Sequence, residues 1–172
     1  SSFQLETMVP FKPHVTAILN ITPDHLDRHK TLENYIAIKE SITKNQDEND
    51  FCVLNYNDPV LREFGKTPRC KVIFFSSSDE LESGVFLRGD TMIIKENGVE
   101  TPVCTTKDTS LVGMHNYENI MAAIAMTHAM GVPLDTIRQG IKEFTAVEHR
   151  IEFVAEKNGV KYYNDSKGTN PD

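Results

Sequence analysis

The chain has 172 residues, 39% of them hydrophobic and 25% charged, which suits one globular domain with a buried core. Its formal net charge is −7 and it has no basic run, so the composition argues against nucleic acid or an anionic membrane as a partner. No apolar run is long enough to cross a bilayer, and residues 1–10 lack a secretory signal. The three cysteines, Cys52, Cys70 and Cys104, lack metal-ligand spacing, and we expect reduced, mostly buried thiols.

The first half of the chain alternates between predicted strands and helices. Apolar runs predict three buried strands, at residues 15–19, 51–55 and 71–75. Residues 32–44 predict a helix with Thr31 as its N-cap, and Asp58-Pro59 predicts the start of a shorter one. This alternation is typical of a parallel sheet flanked by helices.

The second half has a different pattern. Turn signals divide residues 83–103 into short alternating runs, which predict small antiparallel hairpins. Two helices are predicted next, at 116–130, ending at Gly131, and at 133–144. A last hairpin is predicted around Lys157-Asn158-Gly159.

Lys39 is the most informative single position. The apolar face of its predicted helix is marked, at helical spacing, by Leu32, Tyr35, Ile36 and Ile42. Lys39 falls on that same face, where an ammonium group costs desolvation free energy unless it is paired, deprotonated or modified. The alternative is a snorkelling side chain, whose stem packs while its amine reaches water.

The segment TPDHLDRH, after the first predicted strand, is rich in groups that bind metal ions. These groups are Asp24, His25, Asp27 and His29. Proteins of the α/β class place ligand-binding loops after parallel strands. The same pattern is compatible with a capped turn whose polar residues are exposed.

Three further segments carry polar groups next to predicted elements. The amides of Asn116 and Asn119, at a helix start, can read a purine edge, although Asn116 can equally be a simple N-cap. Arg150 follows His149 before a strand, where a guanidinium can hold two phosphate oxygens or merely decorate the surface. The loop at 164–170, NDSKGTN, combines an acceptor, hydroxyls and a cation.

Gly65-Lys66-Thr67 looks like the end of a Walker A phosphate loop but does not fit one. The first glycine of such a loop would fall at Val60, and Pro68 prevents a helix from starting where the motif requires it. The sequence has no other Gly-rich phosphate loop.

Taken in order, these segments resemble those of the Mur ligases. SSFQLE, NITPDHLDRH, the helix lysine, HNYEN, EHR and NDSKGTN follow one another in family order over nearly the whole chain. SSFQLE is the form typical of members that add D-glutamate, and the related folylpolyglutamate synthases fit it less well. The resemblance implies a three-layer α/β fold, with a mainly parallel sheet flanked by helices and a small antiparallel hairpin region.

The resemblance also implies a reaction in peptidoglycan precursor synthesis. The alanyl carboxylate of UDP-N-acetylmuramoyl-L-alanine would attack the γ-phosphate of ATP, and the amine of D-glutamate would then attack the resulting acyl phosphate. Two magnesium ions would be the cofactors. The full enzyme would be a bacterial cytoplasmic monomer.

The family roles fall on particular positions of this chain. Lys39 matches a lysine that carries a carbamate and thereby becomes an anionic, metal-bridging ligand, and His25 matches a metal-binding histidine. The remaining roles, as implied by the resemblance, are catalysis for His149, Arg150 and Lys167, ATP binding for Asn116, Asn119, Arg150, Asp165 and Lys167, and substrate binding for Ser1, Ser2 and Thr169.

Motifs at both ends predict an excised piece. We expect residues 1–164 to be a truncated central ATP-binding domain that lacks the first strands and the phosphate loop, and 165–172 to be a linker or the start of a C-terminal domain. Such a piece is predicted to be inactive alone. Two other functions stay open: a metal-dependent phosphohydrolase using the DHLDRH cluster, and a non-catalytic nucleotide-binding module.

Overall fold

The computed structural model describes residues 1–145 and 152–168, which form a six-stranded sheet and a two-stranded hairpin. The strands of the large sheet lie side by side in chain order: β1 (Val15–Ile18), β2 (Phe51–Asn55), β3 (Lys71–Ser76), β4 (Gly84–Arg88), β5 (Thr91–Glu96) and β6 (Val99–Thr105). The three strands predicted from apolar runs are confirmed, each within one residue of its predicted bounds.

The sheet is parallel from β1 to β4 and antiparallel from β4 to β6. The predicted hairpins are confirmed, and Gly89 and Gly98 supply the positive φ angles, 61° and 78°, that their turns need. The structure also shows where these hairpins lie. β4 pairs with the end of β3, Phe75 with Val85, so the hairpins extend the parallel sheet.

Helix starts follow local capping. α3 (Leu32–Glu40) begins after Thr31, whose hydroxyl accepts the backbone N–H of Asn34 at 3.2 Å. It ends at Glu40 and continues as a short 3-10 turn, so the prediction of a helix to residue 44 is wrong in its last turn. α4 (Pro59–Phe64) begins, as predicted, after Asp58, whose carboxylate accepts two backbone N–H groups.

α5 (Met114–Ala129) and α6 (Leu134–Glu143) follow the sheet. Gly113 is the N-cap of α5, so Asn116 lies inside the first turn and its interpretation as an N-cap is wrong. Gly131, with φ 74°, follows the end of α5 as predicted.

Helices cover both faces of the sheet, which confirms the three-layer fold. Met121 and Ile124 of α5 pack with Phe75 and Val85 on one face. On the other face, Leu61 of α4 packs with β1 and β2. All three cysteines are buried free thiols, as predicted.

Two short helices and a hairpin complete the described part. α1 (Ser2–Leu5) and α2 (Leu26–His29) lie near α3. β7 (Glu152–Lys157) and β8 (Val160–Asn164) form the predicted last hairpin. None of the helices in the described ranges is long and apolar enough to span a membrane.

Candidate functional site

The carboxyl ends of β1, β2 and β3 lie at one edge of the sheet, where α/β proteins bind ligands. The chain leaves β1 through Asn20 and reaches α2 by way of His25. Asp58 fixes the start of this loop, because its carboxylate accepts the backbone N–H of Ile21 at 2.7 Å while also capping α4. The Asp58 side chain therefore ties the loop after β1 to the start of α4.

Lys39 reaches this edge from α3. Its side chain is half-buried, and its Nζ donates to the carbonyl oxygen of Asn20 at 3.0 Å. The same ammonium lies 4.9 Å from the centroid of the Tyr35 ring. The lysine thus packs its stem on the helix face and directs its amine to the loop after β1. It does not enter the apolar core, so its geometry is that of the snorkelling alternative.

His25 lies at the end of the same loop. It is the N-cap of α2 and has a left-handed backbone with φ 54°. Its side chain is 48% exposed, and Nε2 lies 3.4 Å from Oδ2 of Asp24. A half-exposed imidazole beside a carboxylate is a suitable ligand for a divalent cation.

A row of aromatic rings joins His25 to Lys39. The His25 ring lies 4.8 Å from the ring of Phe3, which lies 5.6 Å from that of His29. The His29 ring in turn lies 5.5 Å from that of Tyr35, over which the Lys39 ammonium sits. The two predicted metal ligands are thus the two ends of one cluster, called here the aromatic ladder.

The four polar groups of the DHLDRH segment do not converge. His29 is buried, and its side chain is 0% exposed. Its Nε2 lies 3.0 Å from the Ser2 hydroxyl, and its Nδ1 lies 3.2 Å from Oε1 of Glu6. In residues 1–145 and 152–168, no three His, Cys, Asp or Glu side chains form a metal-binding group. This geometry does not favour the phosphohydrolase hypothesis.

Ser1 and Ser2 begin the chain at α1. Ser1 is exposed and is the N-cap of the helix. Ser2 is only 7% exposed, and its hydroxyl is engaged by His29. Of the two predicted substrate contacts, Ser1 therefore presents its side chain to solvent and Ser2 is part of the packing beneath it.

Asn116 and Asn119 lie on the first two turns of α5. The Asn116 amide donates to the carbonyl of Val112 at 2.8 Å and so fastens the chain that enters the helix. Asn119 is exposed and lines an apolar cavity of about 380 Å³ between α5 and α6, with Leu111 and Phe144 among its walls.

A polar network that the sequence analysis missed joins α5 to the sheet edge. Glu118 accepts a hydrogen bond from the Ser77 hydroxyl at 2.5 Å. The Asn57 side chain, after β2, accepts from the Ser77 backbone N–H at 2.9 Å and from the buried Ser76 hydroxyl at 3.2 Å. The available signal was the position of Asn57 and the serines directly after parallel strands, where polar residues face the ligand edge.

The remaining predicted residues belong to the last part of the chain. Asp165 and the exposed Lys167 lie in a turn after β8, closed by a hydrogen bond from Gly168 N–H to the Asp165 carbonyl at 2.9 Å. His149, Arg150 and Thr169 lie outside the residues that the structure describes.

Comparison with known proteins identifies the family of the chain. The family profile of the Mur ligase middle domain matches residues 1–127. The UDP-N-acetylmuramoylalanine–D-glutamate ligase of Lachnoclostridium phytofermentans is 54% identical over 100% of this chain, and that of Lachnospira eligens is 51% identical over the same share. The chain spans 38% of the length of each of these relatives.

Solved structures share the fold. MurF from Acinetobacter baumannii has a TM-score of 0.71 at 23% identity, covering 92% of this chain and 35% of that one. MurC from Thermotoga maritima has a TM-score of 0.67 at 21% identity, covering 95% of this chain and 36% of that one. With the profile match over residues 1–127, these findings establish that the chain belongs to the Mur ligase family.

Proposed function

We propose that this chain is the central part of a bacterial, cytoplasmic ligase that joins D-glutamate to UDP-N-acetylmuramoyl-L-alanine at the expense of ATP. The observation that carries the proposal is the aromatic ladder, which links His25 and Lys39 at the carboxyl end of β1. The 54% identity to a relative of that name supports the choice of substrates.

The donor chemistry at this edge fits magnesium, on one condition. An imidazole at His25 can serve directly, whereas the Lys39 ammonium repels a cation and becomes a ligand only as a carbamate. Carbamylation needs the ammonium to release one proton. The amine then adds to the carbon of carbon dioxide and releases a second proton, which leaves a carbamate anion. Magnesium held there would neutralise phosphate charge during phosphoryl transfer.

The chain's own residues would do the positioning. Asn20, through its carbonyl, keeps the Lys39 amine at the strand edge. Asn116 and Asn119 lie on the opening turns of α5, which the Glu118–Ser77 bond fixes to the end of β3, and we assign them to the nucleobase of ATP. Asp165 and Lys167 are assigned to ATP as well, and Ser1 to the sugar-nucleotide substrate.

The domain boundaries are part of the proposal. Residues 1–164 would belong to the central ATP-binding domain and 165–172 would lead into a C-terminal domain. The profile match over residues 1–127 and the separate hairpin of β7 and β8 are compatible with this division.

The test is a ligase assay on the full-length protein with UDP-N-acetylmuramoyl-L-alanine, D-glutamate, ATP and magnesium. We expect ADP and the amide product to form only when both substrates are present. Lys39→Ala should lower kcat by about 100-fold or more, because it removes a ligand of the magnesium that would neutralise phosphate charge. Lys142→Ala, which removes an exposed lysine of α6, is the matched control.

The assay also separates the alternative functions. Phosphate release without D-glutamate and the sugar nucleotide would favour a phosphohydrolase. ATP binding without turnover under any substrate combination would favour a nucleotide-binding module. Either result would contradict the proposed ligase.

A further inference from the structure

His29 is a buried residue to which the proposed reaction assigns no role. Its side chain is 0% exposed, although it lies on a short helix among exposed neighbours. An imidazole in such a place loses hydration on both nitrogens, so its polar contacts have to replace that water. The polar groups and the aromatic rings next to His29 therefore indicate why a histidine occupies this position.

The polar contacts of His29 fix its ring in one orientation. Nε2 lies 3.0 Å from the Ser2 hydroxyl, and Nδ1 lies 3.2 Å from Oε1 of Glu6 without making a hydrogen bond within the described residues. The pKa of Glu6 is lowered, first by its hydrogen bond with Arg28, so this carboxylate is ionised at neutral pH. The Glu6 charge thus lies beside Nδ1, while the hydrogen bond of the ring is the one between Nε2 and the Ser2 hydroxyl.

Glu6 also helps to hold the neighbouring Phe3 ring, through Arg28. Nε and Nη2 of Arg28 both donate to Oε2 of Glu6, at 3.0 and 2.5 Å, and the guanidinium carbon lies 4.9 Å from the Phe3 ring centroid. The Phe3 ring is therefore packed against the Arg28 guanidinium and against the rings of His25 and His29. The position of Phe3 thus depends on the Arg28 guanidinium, which Glu6 holds, as well as on His29.

We propose that His29 is a positioning residue, the middle rung of the aromatic ladder, which sets the positions of His25 and Lys39 relative to each other. Its backbone N–H donates to the His25 carbonyl at 3.0 Å. Its ring packs towards the His25 ring through Phe3 and towards the Lys39 ammonium through Tyr35. Because the His29 ring is held by its hydrogen bond to Ser2 and lies beside the Glu6 carboxylate, Phe3 and Tyr35 both pack against a fixed surface. This inference rests on the proposed roles of His25 and Lys39 as metal ligands.

The alternative, that His29 only fills space, makes a different prediction. A space-filling ring affects folding stability alone, and any variant that folds should keep the geometry of the exposed site. A middle rung affects the distance between the two ends of the ladder, and thus metal affinity, even in a variant that is fully folded. Metal affinity and the carbamate itself are therefore the informative measurements.

The experiment uses the full-length protein, Mn²⁺ as a paramagnetic probe of the magnesium site, and ¹³C-bicarbonate to label a carbamate on Lys39. We expect His29→Leu to weaken Mn²⁺ binding, measured by electron paramagnetic resonance, by about tenfold or more and to remove the ¹³C carbamate signal. His29→Phe keeps a ring but loses the hydrogen bond to Ser2, so it should weaken Mn²⁺ binding, though less than His29→Leu does. His14→Leu, at a half-exposed histidine paired with Asp50, is the matched control and should change neither signal.

Each outcome decides something. A folded His29→Leu variant with wild-type Mn²⁺ affinity and carbamate would overturn the inference while leaving the proposed function intact. A wild-type protein without either signal would overturn both. If His29→Leu does not fold, Tyr35→Leu replaces it, because it removes the rung that touches Lys39; an unchanged carbamate signal in that variant would equally overturn the inference.

Discussion

Asp50 is a carboxylate whose ionised form is held by three neighbours. It accepts the backbone N–H of Asp47 at 2.9 Å, faces Nδ1 of His14 at 3.0 Å and pairs with Lys12 at 3.2 Å. Together, and led by the backbone hydrogen bond, these contacts lower its pKa from 3.8 to about 2. The residue precedes β2, so the charge fastens the amino end of that strand.

Acid titration should reveal this contribution. Because the folded-state pKa lies below the unfolded value, the stabilisation is present above about pH 4 and is lost as the pH falls towards 2. Asp50→Asn should therefore lower the melting temperature by a few degrees at pH 7 and by less at pH 2 to 3. Thermal unfolding followed by circular dichroism measures both values.

Asp135→Asn provides the control for that titration. Asp135 pairs with Arg138 on the surface of α6 and is 94% exposed, so its loss should change the melting temperature little at any pH. A difference between wild type and Asp50→Asn that stays constant from pH 7 to pH 2 would contradict the assignment.

The sequence identified the chemistry of single residues better than their surroundings. The helical spacing placed Lys39 on the side of α3 where it is found, but could not show that its amine stops at the Asn20 carbonyl. Residue type alone could not separate His25 from His29, which are four positions apart and equally suited to a metal, and the family resemblance was needed to choose His25. That difference arises from α1, which buries His29 and leaves His25 half exposed.

At the scale of the element, local signals decided the boundaries and long-range pairing decided the architecture. Thr31 and Asp58 cap their helices through hydrogen bonds within three residues, so the sequence predicts both starts. The parallel pairing of β4 with β3 rests on two residue pairs close to a turn, and no local pattern encodes it. The same reason explains why the link between Ser77 and Glu118, which are distant in sequence, was missed.

That link should couple α5 to β3 energetically. A carboxylate accepting a hydroxyl in a partly buried site contributes more than a neutral hydrogen bond. We expect Glu118→Ala and Ser77→Ala each to destabilise the protein, and the double variant to cost about 1 kcal/mol less than the sum of the two. Urea unfolding of the wild type, both single variants and the double variant gives the coupling free energy.

Glu118→Gln is the matched variant for this cycle. Its amide oxygen can still accept the Ser77 hydroxyl, so it should retain more stability than Glu118→Ala. Strictly additive effects of the two alanine substitutions would mean that the contact contributes nothing of its own.

At the scale of the whole molecule, the sheet explains how the predicted site is divided. The polar ends of β1, β2 and β3 lie side by side. This brings Asn57, Ser77 and the loop after β1, which accepts the Lys39 amine, to one edge. The loop with Asp165 and Lys167 belongs to a different, two-stranded sheet. A ligand that contacts both must bridge two separate parts of the fold.

The phosphate-binding groups of the 172-residue chain predict how it behaves alone. Its sequence contains no Gly-rich phosphate loop, so the β- and γ-phosphates of ATP would lack the backbone N–H groups that such a loop supplies. We expect no amide formation from UDP-N-acetylmuramoyl-L-alanine and D-glutamate, and at most weak ATP binding, while the full-length protein is active under the same conditions. Product formation followed by mass spectrometry, with ATP affinity from calorimetry, measures both. Measurable product from the 172-residue chain would show that its phosphate-binding groups suffice, and would contradict the assignment of phosphate binding to a loop elsewhere in the protein.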